Sequence, residues 1–184
     1  MSNSVCPWWL GYFLLNPVRS IIHSPEKVLK SHVNKGMSVL DIGCGMGYFS
    51  LPMAKLVGDK GRVLAIDLQE KMLTALNRRA MKASLTNNIE TRLCLSKSLN
   101  IDDLTGTIDF ALAFAMVHEV PDKDRLLLEI HKALKPGGKL LIAEPKGHVK
   151  EKDFNDCLNL TRSIGFNLTE KPEVGKSFSA LLKK

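Results

Sequence analysis

The chain has 184 residues, 45% apolar and 24% charged, which suits one soluble domain with its own core. Its most apolar early stretch, residues 5–18, is only 14 residues long and is broken by Pro7, Gly11, Asn16 and Pro17, so it is too short to span a bilayer. It also lacks a basic leading region and a cleavage site, so it does not read as a signal peptide, and a cytoplasmic location is expected. The net charge of +7 permits attraction to anions, but a solvated lysine-rich surface is the plainer account.

In chain order, CPWWLGYF (6–13) gathers both tryptophans, and SPEKVLKSHV (24–33) has the look of a helix with Ser24 as N-cap and Pro25 at its first position. From residue 36 onward, short β-branched or apolar runs alternate with helical patterns. SVLDI (38–42) reads as a buried strand, FSLPMAKLV (49–57) as a helix and RVLAID (62–67) as the next strand. EKMLTALNRRAMKASL (70–85) spaces Met72, Leu73, Leu76, Ala80 and Ala83 for a helix. Strands follow at 89–95 and 107–115, then a helix at 124–134 that stops at Lys135-Pro136-Gly137-Gly138, which also reads as a turn. A fifth strand (139–145), a helix ending at Gly165 and two strand-like runs, 166–171 and 177–183, complete the chain. The link between those last runs is too short for a crossover helix, so they form an antiparallel hairpin. Such alternation predicts an α/β fold with a mostly parallel sheet and helices on both faces.

The chemistry concentrates in VLDIGCGMGYFS (39–50). In an open parallel sheet, ligands bind at the carboxyl ends of the strands, so the turn after the first strand is the natural cradle. Glycine there takes positive φ and lets a ligand reach the backbone. Asp67 ends the second strand, 20 residues after Gly47, where a carboxylate can accept bonds from two ribose hydroxyls; its plainer alternative is a helix cap. The dinucleotide fingerprint is G-x-G-x-x-G, whereas here the spacing is D-x-G-x-G-x-G. An acidic residue beside the loop disfavours pyrophosphate and suits a ligand with an ammonium and a sulfonium. That points to S-adenosylmethionine over a nicotinamide.

At these residues the chain resembles the class I S-adenosylmethionine-dependent methyltransferases, over about residues 36–184. VLDIGCGMGYFS and VLAIDLQEKML (63–73) resemble the first two motifs of that family, TIDFALAFAMVHEVPD (107–122) its fourth-strand region and LKPGGKLLIAEP (134–145) its fifth-strand turn. The resemblance implies a three-layer, Rossmann-like, seven-stranded sheet whose last strand is inserted antiparallel. It implies one domain, with residues 1–35 as an extension of the catalytic core 36–184. It also implies that Gly43, Cys44, Gly45 and Gly47 border the methionine part of the cofactor and that Asp41 orients the loop or the ammonium. Asp67 would hold the ribose and Leu68 would pack on adenine. S-adenosylhomocysteine would be the product. Family members often carry an Asp after the third strand that meets the adenine amino group; here CLSKSLNI (94–101) leaves Ser96 or a neighbouring amide to serve.

For the methyl acceptor, AFAMVHEVPD brings His118 and Glu119 to the site, and EPKGHV (144–149) brings Glu144 and His148 to the same rim. A histidine there can act as a base near neutral pH; the plainer alternatives are that His118 caps the loop or bonds locally and that Glu119 or Glu144 is structural. The [ND]PP[YF] motif of base-methylating enzymes is absent, as is any nucleic-acid-binding module, so nucleic acid is not expected. The fourth-strand pattern resembles the small-molecule, ubiquinone/menaquinone-biosynthesis-like branch. Two rivals stand beside this reading, a nicotinamide-dependent reductase and a non-catalytic cofactor-binding partner protein. The aromatic segment 5–18 is expected to be a lid, buried core, or a contact for a membrane surface or a second copy in a homodimer. Four scattered cysteines without a CxxC pair predict free thiols and no metal site. Gly175-Lys176-Ser177 ends like a phosphate-binding loop, but Glu170 stands where its leading glycine belongs.

Overall fold

The computed structural model describes residues 24–184. The aromatic stretch 5–18, with the lid, membrane and dimer expectations attached to it, lies outside them.

The elements are α1 (Pro25–Leu29), β1 (Ser38–Ile42), α2 (Ser50–Val57), β2 (Arg62–Asp67), α3 (Glu70–Lys82), β3 (Ile89–Leu93), β4 (Ile108–Phe114), α4 (Lys123–Ala133), β5 (Leu134–Pro145), α5 (Glu151–Ile164), β6 (Asn167–Glu170) and β7 (Ser177–Lys183). Short 3₁₀ turns lie at Asp102–Leu104 and Val117–Glu119. Among the described residues, the strands form one sheet in the order β3-β2-β1-β4-β5-β7-β6. The first five pair in parallel, and β7 lies antiparallel between β5 and β6.

Strand alternation sends side chains to two cores. Leu40, Ile42, Leu64 and Ile66 meet Leu126, Leu127 and Ile130 of α4 and Phe154 of α5 on one face. Val39, Val63, Ala65, Phe110 and Leu112 meet Leu29 of α1, Met53 and Val57 of α2 and Leu76 of α3 on the other. Each such fully buried aliphatic side chain contributes about 1.5–3 kcal/mol. Asp41 falls on the α2 face, and this decides its role below.

Among the boundaries that differ from the sequence expectation, three bear on the packing, while helix α3 also ends at Lys82 instead of 85. Helix α1 ends at Leu29 instead of 33, and Ser24 makes no side-chain cap bond; the chain continues in turns, with His32 and Val33 amides bonding to the Leu29 carbonyl. The third strand stops at Leu93, because Leu95 bridges back to Ser98. The Lys135–Gly138 segment belongs to β5, which begins at Leu134 and pairs with Ile108 before a register shift between Ile108 and Phe110. Gly137, at φ +80°, absorbs the irregularity. The shift also explains why Ile108 and Phe110, two residues apart, bury on opposite faces. Helix α5 ends as its sequence indicates: Gly165 is left-handed, and the Gly165 and Phe166 amides bond to the Arg162 and Thr161 carbonyls.

Candidate active site

The order β3-β2-β1-β4-β5 reverses direction between β1 and β4, and this is where an α/β sheet opens a crevice at its carboxyl edge. A cavity of about 280 Å³ lies there. Its walls come from Ile42 and Gly43 at the end of β1, Asp67 and Leu68 at the end of β2, residues 94–99 after β3, Met116 and residues 119–122 after β4, and Leu126 and Glu129 on α4. Its charged lining is Asp67, Glu119, Asp122 and Glu129 against Lys97 alone, so it is mostly negative, although Glu129 is paired with Arg125.

The glycine loop stands on backbone bonds. Gly43 and Cys44 amides donate to the Ile66 carbonyl at 2.9 and 3.0 Å, and the Gly45 amide donates to Asp67 Oδ2 at 2.8 Å. The Arg79 guanidinium of α3 donates to the Met46 carbonyl. The three glycines share positive φ (+69°, +53° and +81° at Gly43, Gly45 and Gly47) but have different tasks. Gly43 lines the cavity, and a Cβ there would lie 3.0 Å from the Met116 side chain. Around Gly45 the space is open. Gly47 is a packing glycine, where a Cβ would fall 2.1 Å from Leu76 Cδ1.

The other sequence-predicted cofactor residues divide in the same way. Asp67, Leu68 and Ser96 line the cavity, with Leu68 40% exposed. Asp67 Oδ1 also accepts the Gln69 amide at 2.9 Å, so this carboxylate starts α3 as well as closing the loop. Burial raises its pKa. Asp41 and Cys44 are not on the wall. Asp41 is 2% exposed and accepts a 2.5 Å bond from Ser50 Oγ at the start of α2. Burial lifts its pKa to about 7. Cys44 packs into the α1–α3 core, which pushes its thiol pKa well up.

The acceptor-side residues come together at the ends of β4 and β5. His118 Nδ1 is hydrogen-bonded to Glu144 Oε2, and Glu144 Oε1 accepts the Val117 amide at 2.8 Å. His148 meets the His118 ring edge-on, with centroids 5.9 Å apart. His118 Nε2 lies 4.0 Å from Oε1 of Glu119, which lines the cavity. The Glu144 bond raises the His118 pKa above its ordinary value. Neither histidine is itself a cavity-lining residue. Sequence reasoning missed the parts played by Met116, Leu95 and Glu129. Leu95 is 66% exposed on the cavity wall, and Glu129 Oε2 accepts the Leu99 amide at 2.6 Å. No local signal marks Glu129, since its partner lies 30 residues away.

The profile of a family described as "Methyltransferase domain" matches residues 33–177. The chain belongs to this methyltransferase-domain family. It is 30% identical over 145 residues to the ubiquinone/menaquinone biosynthesis C-methyltransferase of Haemophilus ducreyi, covering 79% of this chain and 53% of that protein. With the Escherichia coli protein of the same name, identity is 33% over 117 residues, covering 62% and 45%. The chain thus spans about half the length of these curated relatives. A crystal structure of a SAM-dependent methyltransferase from Aquifex aeolicus superposes with a TM-score of 0.86 at 28% identity, covering 97% of this chain and 99% of that one.

Membership in the methyltransferase-domain family brings S-adenosylmethionine as the cofactor, and the cavity chemistry conforms to it. The mostly acidic lining suits an ammonium and a sulfonium, and the exposed Leu68 and Leu95 suit a flat base. The nicotinamide-reductase reading falls with the same match. No helix among the described residues is long and apolar enough to cross a membrane.

Proposed function

We propose that the protein transfers the methyl group of S-adenosylmethionine to a carbon of a small organic acceptor. The observation that carries this reading is the nearness of His118 to the cavity wall: Glu119 lines the acidic cavity, and its Oε1 stands 4.0 Å from His118 Nε2. Carbon methylation is favoured by the names of the curated relatives, both C-methyltransferases.

Bound S-adenosylmethionine supplies an activated methyl on a sulfur that departs with the bonding electron pair. The protein's share is to hold, orient and desolvate the reactants. Asp67 accepts the ribose hydroxyls on its remaining lone pairs, the backbone at Gly43 and Gly45 borders the methionine part, and Leu68 packs on the adenine. Ser96 or its amide meets the polar edge of the base. Asp41, Cys44 and Gly47 keep the loop in shape from behind. His118 Nε2 takes the proton that the acceptor sheds as its carbon bonds to the methyl, with Glu119 beside it and His148 against its ring.

Titration calorimetry with S-adenosylhomocysteine and with NADH is the first test, with binding of the former alone expected. Tritium-labelled cofactor incubated with fractionated cell extract is then expected to label the small-molecule fraction, with the methyl on carbon by NMR. Label in nucleic acid or protein, or cofactor binding with no transfer to any fraction, overturns the proposal. The last outcome would favour a non-catalytic cofactor-binding protein.

A further inference from the structure

We propose that Glu144 is the positioning residue for His118, fixing the imidazole tautomer that leaves Nε2 as the proton acceptor on the cavity side. The purpose of this arrangement rests on the methyl-transfer reading above; its geometry does not.

Glu144 is 3% exposed near the end of β5. A buried carboxylate is costly unless both oxygens are bonded. Here Oε1 takes the Val117 amide and Oε2 takes His118 Nδ1. An ionised carboxylate only accepts, so Nδ1 must carry the proton. A neutral imidazole has one N–H, so Nε2 is left with its lone pair. That nitrogen is the one near Glu119 and hence near the cavity wall. The same carboxylate ties the 3₁₀ turn Val117–Glu119 to β5, so one side chain sets both the place and the tautomer of the histidine. The groups bearing on the pair are Glu119 and Lys123 from the β4–α4 segment, His148 from the loop after β5, and Cys157 from α5. Glu144 makes the largest contribution to holding the imidazolium.

Glu144→Gln separates positioning from mere packing. Glutamine keeps a carbonyl for the Val117 amide, so its NH₂ must face Nδ1. Nδ1 then has to accept, and the proton moves to Nε2. The experiment is long-range ¹⁵N–¹H NMR on the full chain with labelled histidine, saturated with S-adenosylhomocysteine, above the His118 titration. The wild type is expected to show protonated Nδ1 and bare Nε2, and the variant the reverse, with the His118 pKa lowered. Labelled-methyl transfer to the extract should fall at least about tenfold with unchanged affinity for S-adenosylhomocysteine. Glu144→Asp, which keeps a carboxylate, should return the Nδ1–H tautomer.

A wild-type His118 protonated on Nε2 overturns the assignment, and it needs no variant to fold. An unchanged tautomer in Glu144→Gln overturns it as well. A reversed tautomer with an unchanged transfer rate would uphold the part Glu144 plays in the geometry and overturn His118 as the base.

Discussion

The Gly45 amide donates to Asp67 Oδ2 at 2.8 Å, so the loop after β1 and the carboxylate ending β2 are one hydrogen-bonded unit. Asp67 Oδ1 is tied to the Gln69 amide, the Leu68 amide also bears on the carboxylate, and the residue still lines the cavity. The carboxylate is thus held rigid by the backbone bonds that shape the loop, which is what a group gripping two vicinal hydroxyls requires.

On the proposed ribose role, Asp67→Ala leaves two hydroxyls unpaired, and it frees the Gly45 and Gln69 amides. Affinity for S-adenosylhomocysteine should fall by about 1–3 kcal/mol, roughly 5- to 150-fold, in titration calorimetry. Affinity equal to the wild type would show that the ribose is held elsewhere. Asp67→Asn keeps one oxygen and should lose less.

The parallel core of the fold was legible because its strands are short apolar runs separated by amphipathic helices, a pattern set by local periodicity. The Lys135–Gly138 segment was misread because proline and glycine normally end strands, whereas here Gly137 lets β5 carry an irregularity. Within the site, the loop motif and its spacing to the next strand end pointed to Gly43 and Asp67, and the family resemblance to Leu68 and Ser96; all four line the cavity. The inward turn of Asp41 to Ser50 follows from strand alternation, which places it on the α2 face, but the motif alone suggested a ligand contact. The Glu144–His118 bond joins residues 26 apart on different strand ends, so it appears only once β4 and β5 are paired.

The glycines of the loop should respond unequally to alanine. Gly45→Ala meets open space and bears only the strain of φ +53°, about 1–2 kcal/mol. Gly47→Ala adds to its φ of +81° a collision with Leu76, for a total of about 2–5 kcal/mol. Urea denaturation should therefore rank Gly47→Ala well below Gly45→Ala. In the Gly47→Ala background, Leu76→Ala should cost less than it does alone, because it removes the colliding methyl. Additive costs would mean that Leu76 is not what excludes a side chain at 47.

Lys184 caps α4 from across the sheet edge. Its Nζ donates to the His131 and Leu134 carbonyls at 2.7 and 2.8 Å, at the negative end of the helix dipole. Lys184→Met keeps most of the stem and removes the charge, so it should destabilise by about 0.5–2 kcal/mol, less in high salt. A second readout is independent of stability. The His131 pKa is lowered by burial and then by the Lys184 charge, so NMR titration should find it higher in the variant. A His131 titration that does not move would place the ammonium away from the helix end.

Asp41 should leave a signature in stability against pH. Burial, with a smaller push from the Asp67 charge, moves its pKa from the ordinary 3.8 to about 7, while the Ser50 hydroxyl partly offsets this. The folded protein therefore keeps a proton on Asp41 over a range in which the unfolded chain has released it. Because the folded state binds more protons there, this group makes stability fall as pH rises from about 4 to about 7, and its effect levels off above that. Asp41→Asn retains an acceptor for Ser50 and has no charge to bury. Urea denaturation of both proteins should show the variant gaining on the wild type between about pH 4 and about pH 7, with a constant gap at higher pH. A gap that stays flat through this window, or narrows as pH rises, would mean that Asp41 is ionised in the fold at neutral pH and is stabilised there by more than the Ser50 hydroxyl.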